Sequence, residues 1–238
     1  MTIRRHILAL WGLAFLTFAG CDISILDRGV PGSGVAATEN RDIESFTKIE
    51  FAGGADIAIA CGSAPSLKVT TDDNLMDLID TQVVDGVLKI RFSEKVSPKV
   101  TPKFVITTEQ LDELEIAGAA SCKLRGLDGE SLKLKIAGAG KVVAEGTVKD
   151  VEIDIAGAGR IDGVELIARN MDVDVAGSGA VTVSAIDHLK VSIAGSGSIK
   201  YYGDPDLEQS IMGAGSVQHL GDLPAEATKE GSASEQGS

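Results

Sequence analysis

A string of small residues recurs at nearly constant spacing through the second half of this 238-residue chain. Its copies are IAGAA at Ile116, IAGAG at Ile136, IAGAG at Ile155, VAGSG at Val175, IAGSG at Ile193 and IMGAG at Ile211. The first glycines of successive copies are 18 to 20 residues apart, and a weaker copy, FAGGAD, begins at Phe51. Repetition at this period is typical of solenoids, whose units cannot bury their apolar faces alone and must stack.

Each string follows a segment in which apolar and polar residues alternate, such as LKLKI from Leu132 and VEIDI from Val151. This period of two residues indicates a β-strand with one apolar face. A second short strand follows each string and has an apolar residue at one equivalent position: Val142, Ile161, Val181, Ile199 and Val217. The pattern therefore predicts an all-β parallel solenoid with coils of about 18–20 residues. The glycines of the strings are predicted to lie at corners or close backbone approaches.

Residues 41–112 are predicted to have the same architecture with less regular coils, because TKIEFAG, DIAIAC, SLKVTT, VLKIRF and KFVITT are all strand-like. The stretch DDNLMDLID is predicted to form one helical turn with Asp73 or Asn74 as its cap. Since no linker separates this part from the regular repeats, we expect a single domain over residues 41–221.

Residues 1–20 have the three-part layout of an export signal. Basic residues come first, an apolar stretch from Ile7 to Phe18 follows, and small residues precede Cys21. The apolar stretch is shorter than the roughly 20 residues that a membrane-spanning helix needs. The segment LTFAGC resembles a bacterial lipobox, which implies that Cys21 is lipidated, for example with palmitate, and becomes the new N-terminus. An ordinary cleavable signal with an incidental cysteine is the alternative.

Acyl chains on Cys21 would hold the protein at a membrane, because each buried CH₂ contributes about 0.8 kcal/mol. Asp22 resembles the residue that retains some lipoproteins in the inner membrane. The expected location is therefore the cell envelope, at the periplasmic face of the inner membrane, the outer membrane or the cell surface. Residues 21–40 are predicted to be a flexible tether, and residues 222–238 are predicted to be a disordered tail.

The formal net charge is −13, and it becomes about −15 when the two arginines of residues 1–20 are removed. Nucleic acid is not expected as a partner, because an acidic surface repels phosphates and no basic run is present to bind them. Aromatic residues make up only 4% of the chain, and its one tryptophan, Trp11, lies in the predicted signal. This scarcity disfavours an extended sugar-binding cleft, which usually has aromatic platforms.

An opening of the form FTKIEFAGGADIAIACG, a DDNL segment, VLKI and a ladder of AGAG or AGSG strings resemble the head GIN domain family, described as autotransporter adhesins. The resemblance covers about residues 41–220. It implies a right-handed, single-stranded parallel β-helix. It supplies no catalytic residues to place on this chain.

Three functions are compatible with this sequence. The first is a noncatalytic envelope module, an adhesin or other binding module that contacts a surface, matrix or protein through a flank of the solenoid. The second is an enzyme acting on envelope polysaccharide, and the third is a periplasmic regulatory or assembly factor. An enzyme needs clustered acids, bases or metal ligands. His188 and His219, the histidines outside the signal, lie in no nucleophile or metal-ligand motif, so the first function is favoured and no cofactor is expected.

Four carboxylates form one candidate metal site. The repeat alignment places Glu152, Asp154, Asp172 and Asp174 on the polar face of two neighbouring coils. Strands about 4.8 Å apart would bring these side chains close together, and hard oxygen ligands in this number would suit Ca²⁺. A solvated acidic patch is the alternative and the favoured interpretation.

Cys61 and Cys122 are predicted to be buried thiols and not a disulfide. Aligning FAGGAD with IAGAA places Cys61 four residues further along its coil than Cys122. That offset exceeds the roughly 7 Å Cα separation that a disulfide allows.

Overall fold

The chain forms a parallel β-solenoid of about five turns in a computed structural model, which describes residues 29–224. The described chain has one short 3₁₀ helix, Asp73–Leu78. Its strands are β1 (Val30–Pro31), β2 (Ala36–Arg41), β3 (Lys48–Gly53), β4 (Asp56–Cys61), β5 (Ser66–Asp72), β6 (Ile79–Val84), β7 (Val87–Phe92), β8 (Val96–Ser97), β9 (Lys103–Thr108), β10 (Glu113–Gly118), β11 (Ser121–Gly138), β12 (Lys141–Gly157), β13 (Arg160–Gly177), β14 (Ala180–Gly195), β15 (Ser198–Tyr202), β16 (Asp206–Gly213) and β17 (Ser216–Gly221). None of the helical structure in the described range is long and apolar enough to cross a membrane.

Successive coils pair in parallel register, which joins the repeated strings residue by residue. Ile116 pairs with Ile136 and Ile136 with Ile155. The row continues through Val175, Ile193 and Ile211, and the first glycines form a second row beside it. Both predicted rows are therefore confirmed. The weaker copy belongs to the same rows, because β3 pairs in parallel with β10 and places Phe51 next to Ile116.

Inward side chains from all coils form one continuous hydrophobic core that extends from Phe46 to Ile199. Ile116, Ile153 and Val173 have no exposed surface, as the alternation predicts. Burying a side chain of this size contributes about 1.5–3 kcal/mol. No single coil encloses its own residues, so this stabilisation exists only when neighbouring coils are in register.

The glycine row is required because successive corners approach each other closely. Gly177 has a φ of +128°, and a Cβ atom on it would lie 2.3 Å from the carbonyl oxygen of Gly157 in the adjacent coil. Ser178, the next residue, is exposed, and its backbone N–H donates to the same oxygen at 2.8 Å. The corner therefore combines a conformation that L-residues rarely adopt with a contact that leaves no room for a side chain.

The N-terminal end of the solenoid is covered by antiparallel strands, which differs from the irregular parallel coils predicted for residues 41–112. β7 and β9 stack in parallel on β3 and β4, as expected. However, β6 pairs with β7 and β5 pairs with β9 in the antiparallel sense. The 3₁₀ helix connects β5 to β6 and buries Leu75 and Met76. Alternating sequences do not distinguish the two directions, because both kinds of strand have a period of two.

The prediction that residues 21–40 form a flexible tether is wrong for the second half of this segment. β2 pairs with β5 in the antiparallel sense, and β1 pairs with β8. β2 is held because it is hydrogen-bonded along one edge, although it buries little apolar surface. The predicted signal, the first part of the tether and the tail from residue 225 lie outside the described residues.

A buried carboxylate, Asp72, joins the N-terminal segment to the cap. It occupies the N-cap position of the 3₁₀ helix, where Asp73 or Asn74 was predicted, but its side chain makes no hydrogen bond to the helix. Instead its oxygens accept from the backbone N–H of Gly34 at 2.6 Å and of Lys99 and Val100 at 3.0 Å each. Burial by itself would raise the pKa of Asp72, but these donors stabilise the carboxylate and bring its pKa below the ordinary value.

Gly177→Ala is expected to lower the free energy of unfolding by roughly 2–5 kcal/mol, because it adds a Cβ where the backbone is strained and the space is filled. The matched control is Ser178→Ala, which alters an exposed side chain and keeps the backbone hydrogen bond. Thermal or urea unfolding followed by circular dichroism measures both variants. Equal effects would show that the strings are surface loops.

Asp72→Asn is expected to lower Tm at neutral pH well below that of Asp77→Asn, which changes an exposed residue of the same 3₁₀ helix. The amide keeps one acceptor oxygen but turns a donor toward backbone N–H groups. Because the folded pKa of Asp72 is lowered, its contribution is complete above the unfolded pKa and is lost as pH falls through the folded pKa. Tm measured from pH 7 down to about pH 3 should show the two curves converging in acid. A constant difference in Tm across this range would contradict the role assigned to the carboxylate.

Candidate functional site

The outward side chains of one flank form two parallel charged rows, which we call the charged ladder. They lie opposite the apolar rows because successive residues of a strand point to opposite faces. In-register pairing produces a first row of Lys48, Glu113, Lys133, Glu152, Asp172, Lys190 and Glu208. The second row contains Glu50, Glu115, Lys135, Asp154, Asp174, Ser192 and Ser210.

Ion pairs between neighbouring coils connect the two rows at the N-terminal end of the ladder. The Nζ atom of Lys135 lies 2.6 Å from Glu113, and that of Lys48 lies 3.3 Å from the same carboxylate. The hydrogen bond from Lys135 is the main reason that the pKa of Glu113 is below its ordinary value, against an opposing effect of burial. The same bond raises the pKa of Lys135. Glu113 is therefore held ionised between two lysines.

The structure places the four acidic residues of the candidate calcium site where the repeat predicts them. Glu152 pairs in register with Asp172, and Asp154 pairs with Asp174. Lysines from the coils on both sides contact them. Lys133 forms ion pairs with Glu152 and with Asp154, the latter at 3.3 Å.

On the opposite side, the Nζ atom of Lys190 lies 2.9 Å from Asp172. The hydrogen bond to Glu152 raises the pKa of Lys133, and that to Asp172 raises the pKa of Lys190. The acidic rectangle is thus bounded by cations, and the alternation of charge continues beyond it.

Calcium binding at this rectangle stays a prediction from the sequence. Within residues 29–224, no group of three or more acidic, histidine or cysteine side chains is arranged to hold a metal ion. Ca²⁺ would have to displace Lys133 and Lys190 from carboxylates that they already neutralise. The repeat in the sequence already contained this information. Aligning one further coil places Lys190 next to Asp172 in the first row.

A shallow groove runs beside the second row of the ladder. Small side chains form its floor, in a row that comprises Ala137, Ala156, Ala176 and Ala194. Asp154 and Asp174 line its side together with Lys135. At the last coil the row continues with Met212, whose side chain is 71% exposed. An extended chain could therefore lie close to the backbone and meet charged groups along one side.

The two histidines within residues 29–224 do not form part of a catalytic arrangement. His188 is exposed, with its Nδ1 atom 4.0 Å from Asp206. The ring of His219 stacks on Tyr201, with ring centroids 4.9 Å apart. Neither contact joins a nucleophile to a base, so the described residues show no triad of the kind used in nucleophilic catalysis.

Both described cysteines are free thiols. Register places Cys122 opposite Ile57, four positions before Cys61 in its own strand, as the alignment predicted. Burial raises the pKa of Cys122 to about 12, and it also raises the pKa of the half-buried Cys61. Neither is an activated thiolate, because activation requires a lowered pKa.

These features define a class of protein: a parallel β-solenoid that is capped at one end and exposes a regular charged flank. The chain belongs to the family described as "Putative auto-transporter adhesin, head GIN domain", whose model matches residues 45–205, more than half of the chain. No curated protein matches it significantly.

Several solved bacterial structures are similar to this fold. A "putative adhesin" from Bacteroides fragilis is similar with a TM-score of 0.67 and 23% identity, over 80% of this chain and 100% of that chain. A "putative lipid binding protein" from Parabacteroides distasonis has a TM-score of 0.54 and 26% identity, over 80% and 99% of the two chains. A "putative adhesin" from Parabacteroides merdae has a TM-score of 0.54 and 21% identity, over 80% and 98%. These similarities support the fold.

Lys190→Met is expected to lower Tm by about 1–2 °C at low ionic strength, because Asp172 loses its cation while Asp174 stays nearby. The decrease should shrink in about 0.5 M NaCl, which screens the repulsion between carboxylates. Lys200→Met is the control, since Lys200 lies on β15 and makes no ion pair within residues 29–224. A salt-independent decrease would show that the methylene chain, and not the charge, matters.

Proposed function

We propose that this protein is a noncatalytic, lipid-anchored module of the bacterial envelope that binds a surface, matrix or partner protein through the charged ladder. Membership of the adhesin family supports a binding role. Two features of the described residues support a noncatalytic role. Glu113, Glu152 and Asp172 of the ladder are held in ion pairs with lysines. The thiol of Cys122 has a raised pKa and is not activated.

The observation that carries this proposal is the regular geometry of the ladder. Neighbouring coils repeat at about 4.8 Å, and alternate residues along a strand repeat at about 6.7 Å. Charges therefore lie on a fixed grid held by a rigid core, with a small-residue groove beside it. A single exposed ion pair contributes only about 0–1 kcal/mol, so useful affinity requires many contacts over a long face. A repetitive solenoid supplies such a face.

The anchor would place one end of the solenoid near the membrane. The eight Cα–Cα steps from Cys21 to Gly29 span at most about 30 Å when the chain is fully extended. The segment after Gly29 is docked on the N-terminal cap through Asp72. The cap would therefore lie toward the bilayer, and the ladder would extend away from it.

The ladder is tested by site-specific photo-cross-linking in intact cells. A photoreactive amino acid at Ala156, in the groove, should form adducts with an envelope component, whereas the same group at Asp162, exposed on the other flank, should form fewer. Adducts equally frequent at both positions would argue against recognition by the ladder. Shortened envelope polysaccharide after incubation with the purified protein would favour the enzyme. Adducts confined to periplasmic assembly proteins would favour the regulatory factor.

Cys21→Ala should abolish labelling by a fatty-acid analogue and release the protein from the membrane fraction, because the acyl chains supply the membrane affinity. Cys61→Ala is the control, since Cys61 is a thiol within the folded solenoid. Label retained in Cys21→Ala, or membrane association unchanged in that variant, would contradict the anchor.

A further inference from the structure

The two ends of the solenoid are built differently. At the N-terminal end, antiparallel strands and the buried side chains of the 3₁₀ helix cover the core. At the C-terminal end, β16 pairs with β14 and β17 with β15, and within the described chain no strand pairs with their other edges. Three large apolar residues are exposed at this open end: Ile211, Met212 and Leu220 are 39%, 71% and 36% exposed.

The backbone of β16 has hydrogen-bonding groups directed away from the solenoid. The N–H of Ala214 donates to the carbonyl of Gly195 in the preceding coil. Lys133, which occupies the same row as Glu208, likewise donates its N–H to Asp112 of the preceding coil. Because alternate residues of a parallel strand bond to opposite neighbours, Glu208 and Ser210 face β14. The N–H and C=O groups of Leu207, Gln209 and Ile211 face the open side, where they form a template for another strand.

The inward-facing positions of β16 include a polar residue, whereas the equivalent positions of the preceding coils are apolar. Gln209 occupies a row that is otherwise apolar and consists of Leu114, Leu134, Ile153, Val173 and Val191. Leu207 and Ile211, on either side of it, continue apolar rows. Such an end tolerates water when it is free and can still bury apolar side chains when it is covered.

The open edge of β16 carries acidic side chains that lack a close lysine or arginine partner in the described structure. Lys190, the neighbour of Glu208 in the first row, is hydrogen-bonded to Asp172 on its other side at 2.9 Å. Glu208 makes no ion pair in the described structure, and Asp206 has only the 4.0 Å approach of His188. A strand added on the open side of β16 would continue the first row beyond Glu208. Its outward side chains would lie beside the carboxylates of Glu208 and Asp206.

Strand β11 shows what kind of strand fits beside a glutamate in this row of the ladder. β10 presents Glu113 to the next coil, and Lys135 of β11 contacts it at 2.6 Å. Glu113 and Glu208 occupy the same row of the ladder. The segment Leu132–Ile136 of β11 alternates apolar residues with lysines and packs its apolar face on the core.

We propose that the open edge of β16 binds an extended segment of a partner protein, with basic residues at alternate positions and apolar residues between them, as an additional parallel strand. The segment would pair with the outward backbone groups, place its cations beside Glu208 and Asp206, and cover Leu207 and Ile211. The segment Leu132–Ile136 of a second copy does not supply it, because that segment is already paired with β10 and β12. This binding mode depends neither on the lipid anchor nor on recognition by the face of the ladder.

The test uses the purified chain and a fluorescent peptide, SLKLKIAG, which has the sequence of residues 131–138. Fluorescence anisotropy should show saturable binding, and the matched peptide SLELEIAG should bind at least several-fold more weakly. Glu208→Lys should reverse this preference, whereas Asp162→Lys, an equal charge change on the other flank, should preserve it.

Gln209→Pro separates strand addition from simple charge attraction. It removes an N–H on the open side and leaves the bonds to β14, so the variant should keep its Tm and lose the peptide. Should Gln209→Pro prove unstable, Glu208→Lys still decides the outcome. Absence of binding, or equal binding of both peptides, overturns the proposal. A dimer in analytical ultracentrifugation that Gln209→Pro disperses overturns it too, because the edge would then belong to a second copy.

Discussion

In-register hydrogen bonding between successive coils is the constraint on which the rest of this structure depends. The period of a strand is two, so a slip of one residue would turn every apolar row outward and every charged row inward. The core, the glycine corners and the ladder are therefore consequences of one register. The carbonyl of Gly157, close to the Cα of Gly177 and bonded to the N–H of Ser178, shows how this register is fixed at the corners.

The register also gives the ladder its electrostatic character. Residues far apart in sequence become neighbours at a fixed spacing, so the charge of each residue is matched or opposed by the coils on both sides. Glu113 lies between Lys48 and Lys135, while Asp172 lies between Glu152 and Lys190. Ion pairs join coils to one another, and the face stays close to neutral in places although the whole chain is strongly acidic.

Much of this architecture could be predicted from the sequence, because a repeat aligns with itself. The rows of Ile116 and Val142 and the pairing of Glu152 with Asp172 follow directly from the spacing of the strings. The antiparallel direction of β5 and β6 could not be predicted, since alternation carries no direction. The strand β2 was missed because AATENR has no apolar alternation, and it is held by backbone pairing. The role of Asp72 depends on N–H groups of Gly34 and Lys99, which only the folded chain brings to it.

The pairing of β3 with β10 has a wider consequence for how such a chain can vary. These strands are adjacent coils, yet residues 54–112 separate them in the sequence and include the strands and helix that cover the N-terminal end. The solenoid therefore accepts a long excursion between two coils while the rows on both sides remain aligned. Whole coils contact only their immediate neighbours, so the same logic allows a coil to be added or removed as a unit. The length of the exposed face is thereby adjustable in steps of about 4.8 Å, independently of the cap at one end and the open edge at the other.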